Sequence, residues 1–94
     1  MNIKKAQESI LIDNPKIKVM ELRFAPGAST GHHRHNNDYL VVPITSGQLS
    51  IANDQGQSHR ELMPGVPYFR DSGVEHNVSN ETDNEIVFIE IELK

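Results

Sequence analysis

Turn-forming residues recur along this chain so closely that no long helix fits between them. They are Asn14-Pro15, Pro26-Gly27, Ser46-Gly47, Asn53 to Gly56, Pro64-Gly65, Ser72-Gly73 and Asn80 to Asn84. Gly and Asn accept the backbone angles of tight turns, and Pro fixes φ at the corner. Runs of about 5–9 residues remain between them, the spacing of short strands in an all-β sandwich or barrel. The whole chain, residues 1–94, is expected to form one such domain.

The runs themselves alternate. Ile17 to Phe24 (IKVMELRF) changes face at each residue. Tyr39 to Ile44 (YLVVPI) is β-rich, but Pro43 has no backbone donor, so one side of that strand should lack a ladder partner there. Leu49 and Ile51 alternate before the Asn53 to Gly56 turn. In Ile86 to Leu93 (IVFIEIEL), Val87, Ile89, Ile91 and Leu93 share one face. The other face mixes Ile86 and Phe88 with Glu90 and Glu92, and is expected to be half-buried at most. A short helix or turn at residues 4–9 is the one helical segment the pattern allows.

Composition narrows the function. Thirteen acidic residues outweigh nine Lys and Arg, for a net charge of −4. No basic run exceeds Lys4-Lys5, which argues against nucleic-acid binding. Without cysteine there is no disulfide framework and no thiolate chemistry. The apolar run Ile10-Leu11-Ile12 is far too short for a secretory or membrane-spanning segment, so a cytoplasmic location is the default expectation. Only 36% of residues are hydrophobic. A small core of this kind is commonly supplemented by a metal or by dimerisation.

Five histidines are present, and three of them lie in the stretch GHHRH. On a strand, His33 and His35 point to one face, while His32 and Arg34 point to the other. The Gly73 turn reverses the chain just before His76, which can bring a third imidazole opposite the first two. Three neutral imidazoles suit a divalent transition ion (Fe, Zn, Ni or Mn) with open positions for a ligand. His32 is expected at the surface, as is His59, which follows a turn. Glu75 should point away from His76.

These residues resemble the cupin superfamily in both of its motifs. The first motif is a glycine, five residues, His-x-His, three or four residues, a glutamate, six residues and a glycine. Gly27, His33, His35 and Gly47 match it. The second is a glycine, five residues, Pro-x-Gly, two residues, His, three residues and Asn. Gly65, Gly73, His76 and Asn80 match it, with Asp71 in place of the proline. The stretches GHHRHNNDYLVVPITSGQL and YFRDSGVEHNVSN further resemble a group of very small cupins that includes proteins associated with β-alanine degradation. The resemblance implies a small double-stranded β-helix, or jelly-roll barrel, with a metal inside.

One family position departs from the pattern. The glutamate is expected at residue 40, which is Leu40. Asp38 lies two residues earlier. Strand alternation from His35 reaches residues 37 and 39 instead, so a bulge or turn is expected near Asn36-Asn37. Asp38 is therefore a candidate fourth ligand. The alternatives are a three-histidine site, like that of some cupin thiol dioxygenases, or Asp38 as a partner to a ligand's imidazole N–H. Without a carboxylate the ion keeps its full charge and should favour an anionic ligand.

Tyr68 and Arg70 share a face on the run leading to His76. They are candidate substrate-binding groups if that face looks into the barrel, Arg70 by pairing a carboxylate and Tyr68 by donating a hydrogen bond. Otherwise Arg70 sits in a surface ion pair. Arg23 and Glu21 share a face and are expected on a solvated one. Two functions are compatible with this reading. One is a metal-dependent dioxygenase, isomerase or decarboxylase of a small organic acid. The other is a non-catalytic module: a metal-dependent sensor or carrier, favoured by the lack of an obvious acid–base group other than Asp38, or a metal-free cupin scaffold that keeps the histidines as packed polar core residues. A homodimer formed through outer sheet faces is expected in either case.

Overall fold

The structure, a computed structural model, describes residues 4–94. The described residues form nine strands: β1 (Gln7–Asp13), β2 (Ile17–Phe24), β3 (Ser29–Arg34), β4 (Tyr39–Pro43), β5 (Gly47–Asn53), β6 (Gly56–Leu62), β7 (Tyr68–Arg70), β8 (Glu75–Ser79) and β9 (Ile86–Leu93). They make two antiparallel sheets. One has five strands in the order β1-β2-β9-β4-β7, and the other has four in the order β3-β8-β5-β6. The all-β jelly-roll expectation holds. The helix allowed at residues 4–9 does not form. Lys5 instead bridges Ser29, and from Gln7 onward the chain pairs with β2 as an edge strand.

The inner faces of both sheets make the core. Leu22 and Phe24 of β2, Tyr39 and Val41 of β4, and Ile86 and Phe88 of β9 face Leu49, Leu62 and Val78 of the other sheet. Phe24 and Phe88 stack with ring centroids 5.5 Å apart. Burying each such side chain contributes roughly 1.5–3 kcal/mol. The β9 expectation is therefore reversed. The face carrying Ile86, Phe88 and Glu90 is the inner one, and all three are buried. The physical reason is that both faces of β9 are covered or apolar, so alternation alone does not say which is inside. The inner face also borders a cavity that admits a carboxyl group.

Two local features join the sheets. Gly47 starts β5 so close to Ile86 that an added Cβ would lie 3.0 Å from Ile86 Cγ1, which excludes any side chain there without movement. Asn80, fully buried, donates from its amide to the carbonyls of Phe24 (3.1 Å) and Asn84 (2.8 Å). Its Oδ1 accepts from Thr82 N–H (3.0 Å) and Thr82 Oγ1 (2.6 Å). Its backbone exchanges hydrogen bonds with Gly27 and Ala28, so the end of the second motif is tied to the start of the first. Pro43 behaves as expected, since β7 pairs with Tyr39 to Val41 and stops short of it.

Candidate metal centre and ligand cavity

His33 on β3 and His76 on β8 are direct partners in the antiparallel ladder, so their side chains leave the sheet together. His35 lies one residue beyond β3 and is held there by its backbone. Its N–H donates to Val74 (2.8 Å), and its carbonyl accepts from Gly73 (2.7 Å). Gly73, at φ +87°, makes the left-handed turn that starts β8.

The three imidazoles converge through Nε2. His33 Nε2 lies 3.0 Å from His35 Nε2 and 3.1 Å from His76 Nε2. Two ligand nitrogens of one ion, each at roughly 2.0–2.1 Å, are separated by about 3.0–3.4 Å. The spacing therefore fits a shared ion, and these three are the one metal-competent group among the described residues. His33 is oriented for that role. Its Nδ1 lies 3.0 Å from the Gly31 carbonyl and 3.1 Å from Thr30 Oγ1. A carbonyl can only accept, so Nδ1 carries the proton and the Nε2 lone pair faces the centre. Thr30 Oγ1 also accepts from Val78 N–H (3.1 Å), which pins this support to β8. His76 Nδ1 is buried without a hydrogen-bond partner.

Burial keeps two of these imidazoles neutral. Loss of solvation, and then the adjacent His33, lower His76 to about 3 and His35 to about 4. Neutral imidazole is the form that ligates a metal, so ordinary pH does not compete with ion binding at these two.

The opposite wall of the cavity comes from the five-stranded sheet. Tyr39, Tyr68, Arg70 and Glu90 line it together with the three histidines and an apolar remainder. Tyr39 stacks on His35 at 3.9 Å between ring centroids. Burial pushes both tyrosine hydroxyls up, so they stay phenolic donors at neutral pH. Arg70 is the ladder partner of Tyr39 across β4 and β7. Arg60 of β6 lies over the Tyr68 ring, 3.7 Å from its centroid.

Glu90 is the residue that the sequence reading missed. It is 6% exposed, and burial, then Glu92 and Glu8, push its carboxyl up to about 7. The available signal was its place two residues from Phe88 and four from Ile86 on a strand face carrying large apolar side chains. Tyr39 was missed for a similar reason. It fills the inward place nearest the histidines, while Leu40, the position counted for a carboxylate, pairs laterally with Ile91 and Phe69 on the outer face.

The remaining candidates separate. Asp38 Oδ1 accepts from Ser72 N–H at 2.7 Å, and Asp38 is not grouped with the imidazoles. Its carboxylate braces the loop that leads to Gly73. The chain leaves β3 after Arg34 and begins β4 at Tyr39, so the turn expected at Asn36-Asn37 is present, and Asn37 Nδ2 donates to Glu92 at 2.5 Å. His32 is exposed and pairs with Glu75 at 3.0 Å, away from His76. His59 is exposed. Arg23 pairs with Glu21 (3.1 Å) and Glu85 (2.7 Å) outside the barrel.

Comparison with known proteins agrees with this architecture. The cupin domain family matches residues 20–92. The β-alanine degradation protein BauB of Pseudomonas aeruginosa is 49% identical over 89 residues, covering 95% of this chain and 94% of that protein. The crystal structure of a cupin domain from Bordetella pertussis superposes with a TM-score of 0.97 at 49% identity, covering 100% of this chain and 98% of that one. An RmlC-like cupin from Methanocaldococcus jannaschii with a double-stranded β-helix fold shares the fold at TM-score 0.79 and 14% identity, over 96% and 81% of the two chains. With both histidine motifs folded onto one barrel interior, this chain belongs to the cupin family.

Proposed function

We propose that this protein binds a divalent transition ion (iron, zinc, nickel or manganese) through His33, His35 and His76 and uses it to hold a small organic acid. The observation that carries the reading is the convergence of three Nε2 atoms at 3.0–3.1 Å, with one tautomer fixed by the Gly31 carbonyl. Such an ion supplies Lewis acidity toward ligand oxygens.

The chain's own residues argue for the ligand class. Three neutral imidazoles leave a dication uncompensated, which favours an anion. Facing them, Arg70 and the hydroxyls of Tyr39 and Tyr68 are hydrogen-bond donors, and Arg70 can take a carboxylate bidentately. Leu22, Val41, Leu49 and Phe88 supply an apolar surround for a short carbon chain. The Pseudomonas relative's name, a β-alanine degradation protein, points to a small carboxylate in the same way. Dioxygenase, isomerase and decarboxylase chemistry all fit these groups. The case for a carrier or sensor rested on a missing acid–base residue, and Glu90 in the cavity weakens it.

The test is elemental analysis of untagged protein beside a His33→Ala/His76→Ala double variant. Near-stoichiometric metal in the wild type and its loss in the variant support the reading. No metal in either protein, after refilling with several divalent ions, sinks it.

For assembly, the same reading takes two copies packed through the outer face of the five-stranded sheet. Ile12, Val19, Ile91, Leu40 and Phe69 are successive register partners and form an apolar row across all five strands. Ile12 and Phe69 are 48% and 51% exposed. Sedimentation at micromolar concentration should show a dimer that Phe69→Glu weakens, and a clean wild-type monomer refutes this.

A further inference from the structure

Glu90 stands where two cavities meet. The inner one is walled by the histidines, both tyrosines and Arg70. The outer one opens between β1, β2 and β3 past Glu8, Arg34 and Glu92. Glu90 lines both. Its ladder partners are Met20 on β2 and Val41 on β4, apolar residues that offer its carboxyl nothing to bond. None of the hydrogen bonds or ion pairs among the described residues involves that carboxyl. The carboxyl therefore faces cavity space without a protein partner, where a ligand, a water or a proton can satisfy it.

We propose that Glu90 is the proton-exchanging group of this site: it takes up one proton from solvent as an anionic ligand enters and, as the neutral acid, donates a hydrogen bond to a ligand oxygen. The proposal rests on the reading above that the ligand is a small anion. One proton adds to one carboxylate oxygen. No ligand bond forms or breaks, and nothing is oxidised or reduced. The driving force is electrostatic, since an ionised Glu90 would face the anion across a poorly solvated cavity.

The surrounding groups decide whether this exchange falls near neutral pH. Glu92 on β9 and Glu8 on β1 disfavour the ionised form, and Lys18 on β2 favours it. Tyr39 from β4 and Tyr68 from β7 stay neutral through that range. Arg70 from β7, Arg34 from β3 and the imidazoles of His33, His35 and His76 line the same cavities, and a bound dication would favour the ionised form of Glu90. Burial and the two carboxylates outweigh Lys18, so in the metal-free protein the exchange lies near pH 7.

The experiment is calorimetric titration of the zinc-loaded protein with acetate, propionate and malonate at pH 8, in two buffers of different ionisation enthalpy. Wild type should take up about one proton per carboxylate bound, and its affinity should fall about tenfold per pH unit above the Glu90 midpoint. Glu90→Gln, which keeps a donor but cannot ionise, should bind with no proton uptake and a flat pH profile. Binding to wild type without uptake overturns this proposal alone. Binding by none of the three overturns the organic-acid reading as well. A carbon-13 titration of the glutamate carboxyls in ligand-free, metal-free wild type adds a test that needs no variant. A midpoint for Glu90 near 7 supports the proposal, and one in the ordinary carboxylate range overturns it.

Discussion

The cavity has two walls that differ in kind. The four-stranded sheet contributes His33 and His76, with His35 just beyond β3. These imidazoles bring lone pairs, and burial keeps His35 and His76 uncharged. The five-stranded sheet contributes Tyr39, Tyr68, Arg70 and Glu90, which bring proton donors and an exchangeable proton. Under the proposed function the difference is a division of labour: one wall would hold an ion, and the other what the ion binds. Each wall draws its character from strand alternation, because ladder partners project to the same side.

The sharpest way to break that contrast is to damage each wall separately. His76→Ala removes a central nitrogen and should abolish stoichiometric metal binding. Arg70→Ala should leave the metal in place and weaken carboxylate binding by roughly 10–100-fold, the scale of a hydrogen bond to a charged group. Metal content by elemental analysis and carboxylate affinity by calorimetry separate the two outcomes. If Arg70→Ala loses metal as fully as His76→Ala, the walls do not divide the work.

The seam between the walls comes next in magnitude. Asn80 sits in the four-stranded sheet's last turn and grips the Phe24 carbonyl at the end of β2. Asn80→Ala strands the buried carbonyl of Phe24 and removes the partner of the Asn84 carbonyl and both Thr82 donors in the adjoining turn. It should cost about 3 kcal/mol of stability in urea denaturation. A loss below about 1 kcal/mol would mean the sheets are held together by apolar packing alone.

The two walls also differed in how far the sequence revealed them. The histidine wall was legible because its residues are rare, closely spaced and set by period two, with glycines at fixed offsets. The opposite wall was not. Tyr39 and Glu90 sit in strands that read as ordinary β-structure, and alternation in IVFIEIEL does not choose an inner face when both faces carry apolar residues. Tyr68 and Arg70 were correctly put on one face, but which way that face looked needed the pairing of β7 with β4. Asp38 drew attention because the family motif wants a carboxylate nearby, and only the fold shows it bonded to Ser72. The turns read from the sequence fall between successive strands, but at the N-terminus β1 is an edge strand whose exposed side chains leave no burial pattern to read.

A smaller effect sets the walls against each other through pH. In metal-free protein, His35 and His76 are lowered to about 4 and about 3. Between pH 4.5 and 6.5 the unfolded chain binds protons at these two and the folded one does not, so stability rises with pH. Glu90, raised to about 7, works the other way, because the folded state there holds a proton the unfolded chain has lost. Two groups against one leave a net rise. Glu90→Gln should make that rise steeper, measured as the urea midpoint against pH. A flat profile in wild type would contradict the neutral, buried imidazoles.

The smallest expected effect concerns the second point where the sheets touch. Arg60 of β6 lies over the Tyr68 ring of β7, which links the free edges of the two sheets. Unlike the Asn80 seam, this one buries no hydrogen-bond network. It is a cation over a ring face, worth about 0.5–1 kcal/mol at a partly exposed site. Arg60→Ala should therefore lower stability by less than about 1 kcal/mol, and Arg60→Lys should recover only part of it, since an ammonium lacks the planar stacking surface. Arg60 does not line the cavity, so carboxylate affinity should hardly move. If Arg60→Ala cost as much as Asn80→Ala, or weakened the carboxylate as Arg70→Ala does, Tyr68 would depend on Arg60 for its place in the ligand wall. The working division would then run across the sheets instead of between them.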